Sequence, residues 1–256
     1  MRIILLISLL FLVGCATQQT IPNENTELNY NPKAAEINVQ LGANYIASKN
    51  YLAADEKLKR AFKQDPKSSE ARWVYAILQE KLEQIEVAEE YYQKAIDINN
   101  KDTSGIYNYA TFLCRHKRYQ ESDKYFQQVL ADPLYPSRAT AFLRAGLCAM
   151  EIPDYTASQY YFEESLNLKN NQRVALYQLA KLNFKIERYA EAKQHMTVFE
   201  AVSEHTVNSL WLAYQIEYAL GDTNAAQRHA DMLKHLYPDS QEVKLLVESS
   251  DESRHQ

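Results

Sequence analysis

At 256 residues the chain is long enough for one large domain or two small ones. With 5 Gly and 7 Pro it lacks the turn residues that an all-β fold needs, whereas 19 Tyr beside many Ala, Leu, Glu, Lys and Gln supply helix formers and large side chains to pack them. A formal net charge of −5 removes the electrostatic case for nucleic acid, so none is expected among the partners.

Residues 1–14 read as a processing signal rather than as part of the fold. Arg2 supplies a positive start. Ile3 to Val13 is apolar except for Ser8, and this run is shorter than the about 20 residues that span a bilayer. It ends in Leu12-Val13-Gly14-Cys15, which resembles the lipobox of bacterial lipoprotein signal peptides. The resemblance implies a diacylglyceryl group on Cys15, cleavage before it and acylation of the freed amine. One acyl chain holds a protein to a membrane marginally, and two suffice. The blander alternative is an ordinary signal with a chance cysteine. Ala16, rather than Asp, follows Cys15, and the sorting rule of this lipoprotein class then implies the outer membrane. The covalent lipid is the only non-protein group expected; no metal and no other cofactor is. Residues 15–34 are expected to be the lipidated cysteine and a flexible tether, polar and turn-prone throughout.

From Ala35 the chain repeats every 34 residues, in units 35–68, 69–102, 103–136, 139–172, 173–206 and 207–240, with Ser137 and Arg138 inserted after the third. Small residues recur at the eighth place (Gly42, Ala76, Ala110, Gly146, Ala180), where two helices must approach closely. A second small series runs Ala54, Ala88, Ser122, Ser158, Ala192, Ala226, and large residues follow four places on: Leu58, Tyr92, Phe126, Phe162, Met196, then Ala230. Pro66 and Pro238 stop the second helices of units one and six. The period and this pattern resemble the tetratricopeptide (TPR) repeat. They imply an all-α, right-handed superhelical solenoid of six helix–turn–helix repeats over 35–249. Unit six is the poorest match, with Tyr214 at the small place and Thr223 where an aromatic opens most second helices. Residues 241–249 are expected to be a capping helix and 250–256 a frayed tail.

In a TPR array the first helices line the concave face. The outward places of the repeat then hold Val39, Ala43, Ile46, Ala47, Trp73, Ile77, Tyr107, Leu143, Leu147, Met150, Tyr177, Phe184, Trp211 and Tyr218, an apolar strip that includes both tryptophans of the chain. Bare apolar strips mark interaction sites, and Trp and Tyr are common interface anchors. The strip therefore reads as a groove for an apolar protein segment, with units one to three as the favoured contact region. Its alternative is burial by superhelical packing.

Cys114 and Cys148 lie late in the first helices of neighbouring units. In an oxidising periplasm they form a disulfide, or else they are two buried thiols. Arg115-His116-Lys117-Arg118 is a basic cluster at a turn, either solvated or facing an acidic partner. The six His lack the i, i+4 spacing of a helical metal site, and no phosphate loop, GxSxG or HExxH occurs. An enzyme is not expected.

Tyr107-Asn108-Tyr109-Ala110-Thr111-Phe112-Leu113-Cys114 and Arg144-Ala145-Gly146-Leu147-Cys148, with the proline-bearing Asp132 to Pro136 between them, resemble the PilF/PilW family of type IV pilus biogenesis lipoproteins. The resemblance implies a pilotin serving pilus assembly and twitching motility. Its partners would be the pilus secretin subunits, whose localisation and multimerisation it promotes, the lipoprotein-sorting machinery and the outer membrane. A TPR lipoprotein adaptor for peptidoglycan hydrolases or outer-membrane protein assembly is the alternative.

Overall fold

A computed structural model describes residues 30–152 and 155–252. The signal segment 1–14, Cys15, the tether up to residue 29 and the last four residues lie outside the described residues. Within them the chain forms thirteen helices: α1 (Pro32–Ala47), α2 (Tyr51–Gln64), α3 (Ser69–Lys81), α4 (Ile85–Ile98), α5 (Thr103–Arg115), α6 (Tyr119–Leu130), α7 (Arg138–Ala149), α8 (Thr156–Leu168), α9 (Arg173–Lys185), α10 (Tyr189–Val202), α11 (Val207–Ala219), α12 (Thr223–Leu236) and α13 (Gln241–Glu252). They make an all-α TPR superhelix. Each odd helix pairs most closely with the even helix after it. Odd helices also meet across units (α1 with α3, α3 with α5, α5 with α7, α9 with α11), which places them on the inner, concave radius.

The small eighth place closes each pair. A Cβ on Gly42 would stand 2.7 Å from Leu58 Cγ, and one on Gly146 would stand 2.7 Å from Phe162. Ala76, Ala110 and Ala180 at the same place are fully buried, as are Leu58 and Phe162 opposite. Interiors at this density tolerate no added methyl without displacement.

The turn inside the unit is equally repetitive. Lys49, Glu83, Lys117 and Glu187 adopt φ 61°, and Gly221 φ 78°, all at one register of the repeat. The amide after each returns to the carbonyl five residues back, as in Asn50 to Tyr45, Gln84 to Gln79 and Arg118 to Leu113, which satisfies a carbonyl left open by the helix end. Four of these five left-handed positions carry a side chain where glycine is favoured.

Two boundaries differ from the sequence reading. Helix α1 starts at Pro32, inside the expected tether, because Asn31 accepts from Ala34 N (3.0 Å) and proline at the first position loses no hydrogen bond. Helix α13 continues to Glu252, past the expected start of the tail. It occupies the place of a seventh first helix, 34 residues after Val207, but Glu248 stands at its eighth place, where other units keep a small residue for close helix approach.

Candidate functional site on the concave face

The positions expected to form a bare strip are mostly seams between units. Val39 is a correction: at 1 % exposed it sits in a core with Ala54, Leu58, Ala71 and Val74, because unit two closes over it. Ala43 is exposed but offers a single methyl, and Ile46 is half-buried against the same core. Trp73 is half-buried, and its Nε1 donates to Asp102 Oδ2 (3.1 Å). Ile77 packs on Tyr92 and Phe112 at the next seam. The Tyr107 ring lies 6.1 Å from both Phe126 and Tyr135. Leu143 and Leu147 pack on Phe162 and Leu179. Tyr177 packs on Phe199 at 5.6 Å, and burial pushes its phenol up. Trp211 is half-buried beside Leu210 and Ala230.

In the first half of the array these seams are pinned by polar groups. Asp102 caps α5 through Gly105 N (3.1 Å) and accepts from both Ser69 Oγ (2.8 Å) and Trp73 Nε1, so one carboxylate joins two units. Asp132 ties the start of α5 to the loop after α6, accepting from Thr103 Oγ1 (2.8 Å) and Leu134 N (2.9 Å). Acids early in the second helices reach the following unit: Asp55 accepts from Tyr75 OH and Glu89 from Tyr109 OH (3.0 Å). Burial, with the neighbouring carboxylate, pushes both phenols up to about 12.

The basic cluster at 115–118 is consumed in the same way. Arg115 Nε donates to Glu80 Oε1 (2.7 Å) and His116 Nε2 lies 3.3 Å from the same oxygen. Arg118 bridges Glu89 (2.6 Å) of unit two and Glu121 (2.7 Å) of its own helix. Cys114 and Cys148 are joined by a disulfide that ties α5 to α7, with Cα atoms 5.8 Å apart. Units two to four are thus cross-linked by ion pairs, a shared carboxylate and a covalent bond.

A cleft lies elsewhere. It holds about 680 Å³ at the C-terminal end and is lined by Phe184, Trp211, Tyr214, Tyr218, Lys234 and Leu245, among others. Trp211, Tyr214 and Tyr218 form a ladder along α11, with ring centroids 5.3 and 5.9 Å apart and planes within 20° and 29°. Of the strip as read from sequence, Phe184, Trp211 and Tyr218 line it. Tyr214 and Lys234 escaped the sequence reading, although Tyr214 breaks the small-residue series and so signalled a change at this unit. Among the described residues no group of three His, Cys, Asp or Glu could hold a metal, and no helix is long and apolar enough to cross a membrane.

Comparison with known proteins follows this geometry. The tetratricopeptide repeat family model matches residues 39–103. The type IV pilus assembly protein PilF of Pseudomonas aeruginosa is 29 % identical over 233 residues, which cover 91 % of this chain and 92 % of that protein. The structure of Pseudomonas aeruginosa PilF superposes with a TM-score of 0.74, covering 84 % of this chain and 97 % of that one at 29 % identity. PilW, described as a widely conserved type IV pilus biogenesis factor, superposes with a TM-score of 0.71 at 28 % identity, covering 84 % and 99 %.

Proposed function

Because the chain belongs to the PilF and PilW family of TPR type IV pilus biogenesis factors, we propose that it is a pilotin: an outer-membrane lipoprotein that escorts secretin subunits and promotes their multimerisation. The single observation that carries this is the likeness to PilF along 91 % of the chain, which matches the whole array rather than one promiscuous repeat. Three features support the finer parts. Cys15 stands in a lipobox, so acyl chains would place the folded array beside a membrane. The Cys114–Cys148 bond suits an oxidising compartment such as the periplasm. A rigid superhelix with aromatic side chains on its inner face suits a scaffold that grips a protein segment.

The mechanism follows from tethering. The acyl anchor makes the protein cargo for the lipoprotein-sorting machinery, and a bound secretin subunit travels with it. Holding subunits on one membrane raises their effective concentration without any new contact between them. The decisive experiment is membrane fractionation of the secretin with and without this gene, on gels that preserve heat-stable multimers. Loss of multimers from the outer membrane, with monomers retained, is the expected result. Unchanged multimers would overturn the secretin assignment and favour an adaptor for cell-wall or outer-membrane assembly enzymes.

A further inference from the structure

The C-terminal cleft is made by an exchange of large and small residues that occurs only in unit six. In units one to five a small residue on the first helix meets a large one on the second, as Gly42 meets Leu58 and Gly146 meets Phe162. Unit six inverts the pair: Tyr214 takes the small place and Ala230 the large one, and both line the cleft. Ring volume that elsewhere fills the space between paired helices from behind is carried here by the inner helix. Tyr214 therefore stacks between Trp211 and Tyr218 on the concave side. Tyr218 is 65 % exposed, and Leu245 of α13 faces the cleft while 43 % exposed. Helix α13 packs on α12 and, through Leu246 and Val243, on the foot of the ladder, leaving Trp211 and Tyr214 half-buried and Tyr218 uncovered.

The lining of the cleft carries a single charge, and it is positive. Lys234 is the charged residue of the lining and has no ion pair among the described residues. Lys181, on α9 with the lining residue Phe184, is exposed, whereas Lys185 on the same helix is turned to Tyr155, 4.6 Å from its ring centroid. Three acids on α10, α11 and α12 are engaged: Glu217 is buried against Lys193 (2.7 Å), Asp231 accepts from Gln227 (2.7 Å) and Glu200 faces His229 (3.1 Å), while Glu242 and Glu248 of α13 stand outside the lining. Elsewhere on the inner face, Glu80 is held by Arg115.

We infer that this cleft is the docking site for an acidic, aromatic- or aliphatic-bearing peptide segment of another protein, with apolar side chains on the Trp211–Tyr214–Tyr218 ladder and a carboxylate on Lys234. Rigid aromatic rings give large contact area at small entropic cost, and a lysine with no ion pair among the described residues gives the segment its sign. A flat bilayer is excluded because the rings stand inside a concavity. The inference rests on the scaffold reading only in requiring a protein partner, and it moves the contact region away from units one to three.

The test uses the full chain in its own cells, with a photo-crosslinking residue at Gln215, which lines the cleft, or at Gln128, exposed on α6. The expected result is an adduct from Gln215 and none from Gln128. The adduct maps to a segment holding at least two aromatic or aliphatic residues and an Asp or Glu. A synthetic peptide of that segment should bind the purified protein, weaken about ten-fold with Lys234→Glu or Tyr218→Ala, and regain affinity for Lys234→Glu when its acid becomes Lys. Both changes are at exposed side chains, and unchanged circular dichroism checks the fold. A secretin adduct supports both readings. An adduct on a different protein, with the same peptide behaviour, supports the cleft and removes the secretin. No adduct, an adduct with a second copy of this chain, or binding indifferent to both substitutions overturns the inference.

Discussion

Units two and three and unit six use one architecture for opposite ends. In the former, every aromatic of the inner face is tied down: Trp73 to Asp102, Tyr107 against Phe126 and Tyr135, Tyr109 to Glu89. In the latter, three stacked aromatics line an open cleft and Tyr218 is mostly exposed. The difference teaches that a tryptophan in a TPR first helix is not by itself a contact residue. What decides is whether a neighbouring helix or loop supplies a carboxylate or a ring to hold it, and whether the paired helix fills the space behind it.

The comparison can be broken most forcefully at the small–large pair. Phe162→Ala removes a fully buried ring and should cost about 3–5 kcal/mol, whereas Tyr214→Ala, at the half-buried inverted pair, should cost well under half of that; urea unfolding of both variants measures the contrast. Equal losses would mean that unit six is packed as tightly as unit four. Next in size is the covalent cross-link. A separation of 34 residues gives about 4 kcal/mol in the loop-entropy model, so the Cys114→Ser/Cys148→Ser chain should unfold at markedly lower urea, with hydrogen exchange rising first in α5 and α7 rather than in α11.

Asp102→Ala removes the cap of α5 and two hydrogen bonds to α3, an expected loss of about 2–3 kcal/mol. Because Trp73 then loses its partner, its fluorescence should shift while that of Trp211 does not, which is separable in Trp73→Phe and Trp211→Phe backgrounds. The smallest effect is a gain. Glu187 holds φ 61° at a helix C-terminus, where both the side chain and the negative charge are unfavourable, so Glu187→Gly should stabilise by up to about 1 kcal/mol. Gly221, already glycine at the same register, offers no such gain, and a thermal melt of each variant checks the pair.

Much of the fold was legible because a repeat states its rules several times over. The small eighth place, the large residue opposite and the inserted pair after unit three each appear in sequence as breaks or continuities of a single period. The concave strip was less legible. Its residues were identified by register, but register says which way a position faces, not what covers it. Val39 looked like Trp211 by that criterion, and the two differ because α3 buries the first while α13 covers the second only in part. The Arg115–Arg118 cluster read as a charged turn, and its partners Glu80 and Glu89 lie 35 and 29 residues earlier, on other helices.

The sequence by itself determined the helix pairs, their boundaries to within a few residues, and the unit in which the pattern changes, since these depend on local periodicity and on side-chain volume repeated at fixed spacing. Tertiary structure alone decided which inner-face aromatics are pinned, that the two cysteines meet, and that the inverted Tyr214–Ala230 pair opens a cleft rather than closing a seam. Those outcomes depend on how neighbouring units stack, a distance in space that a 34-residue separation along the chain does not encode.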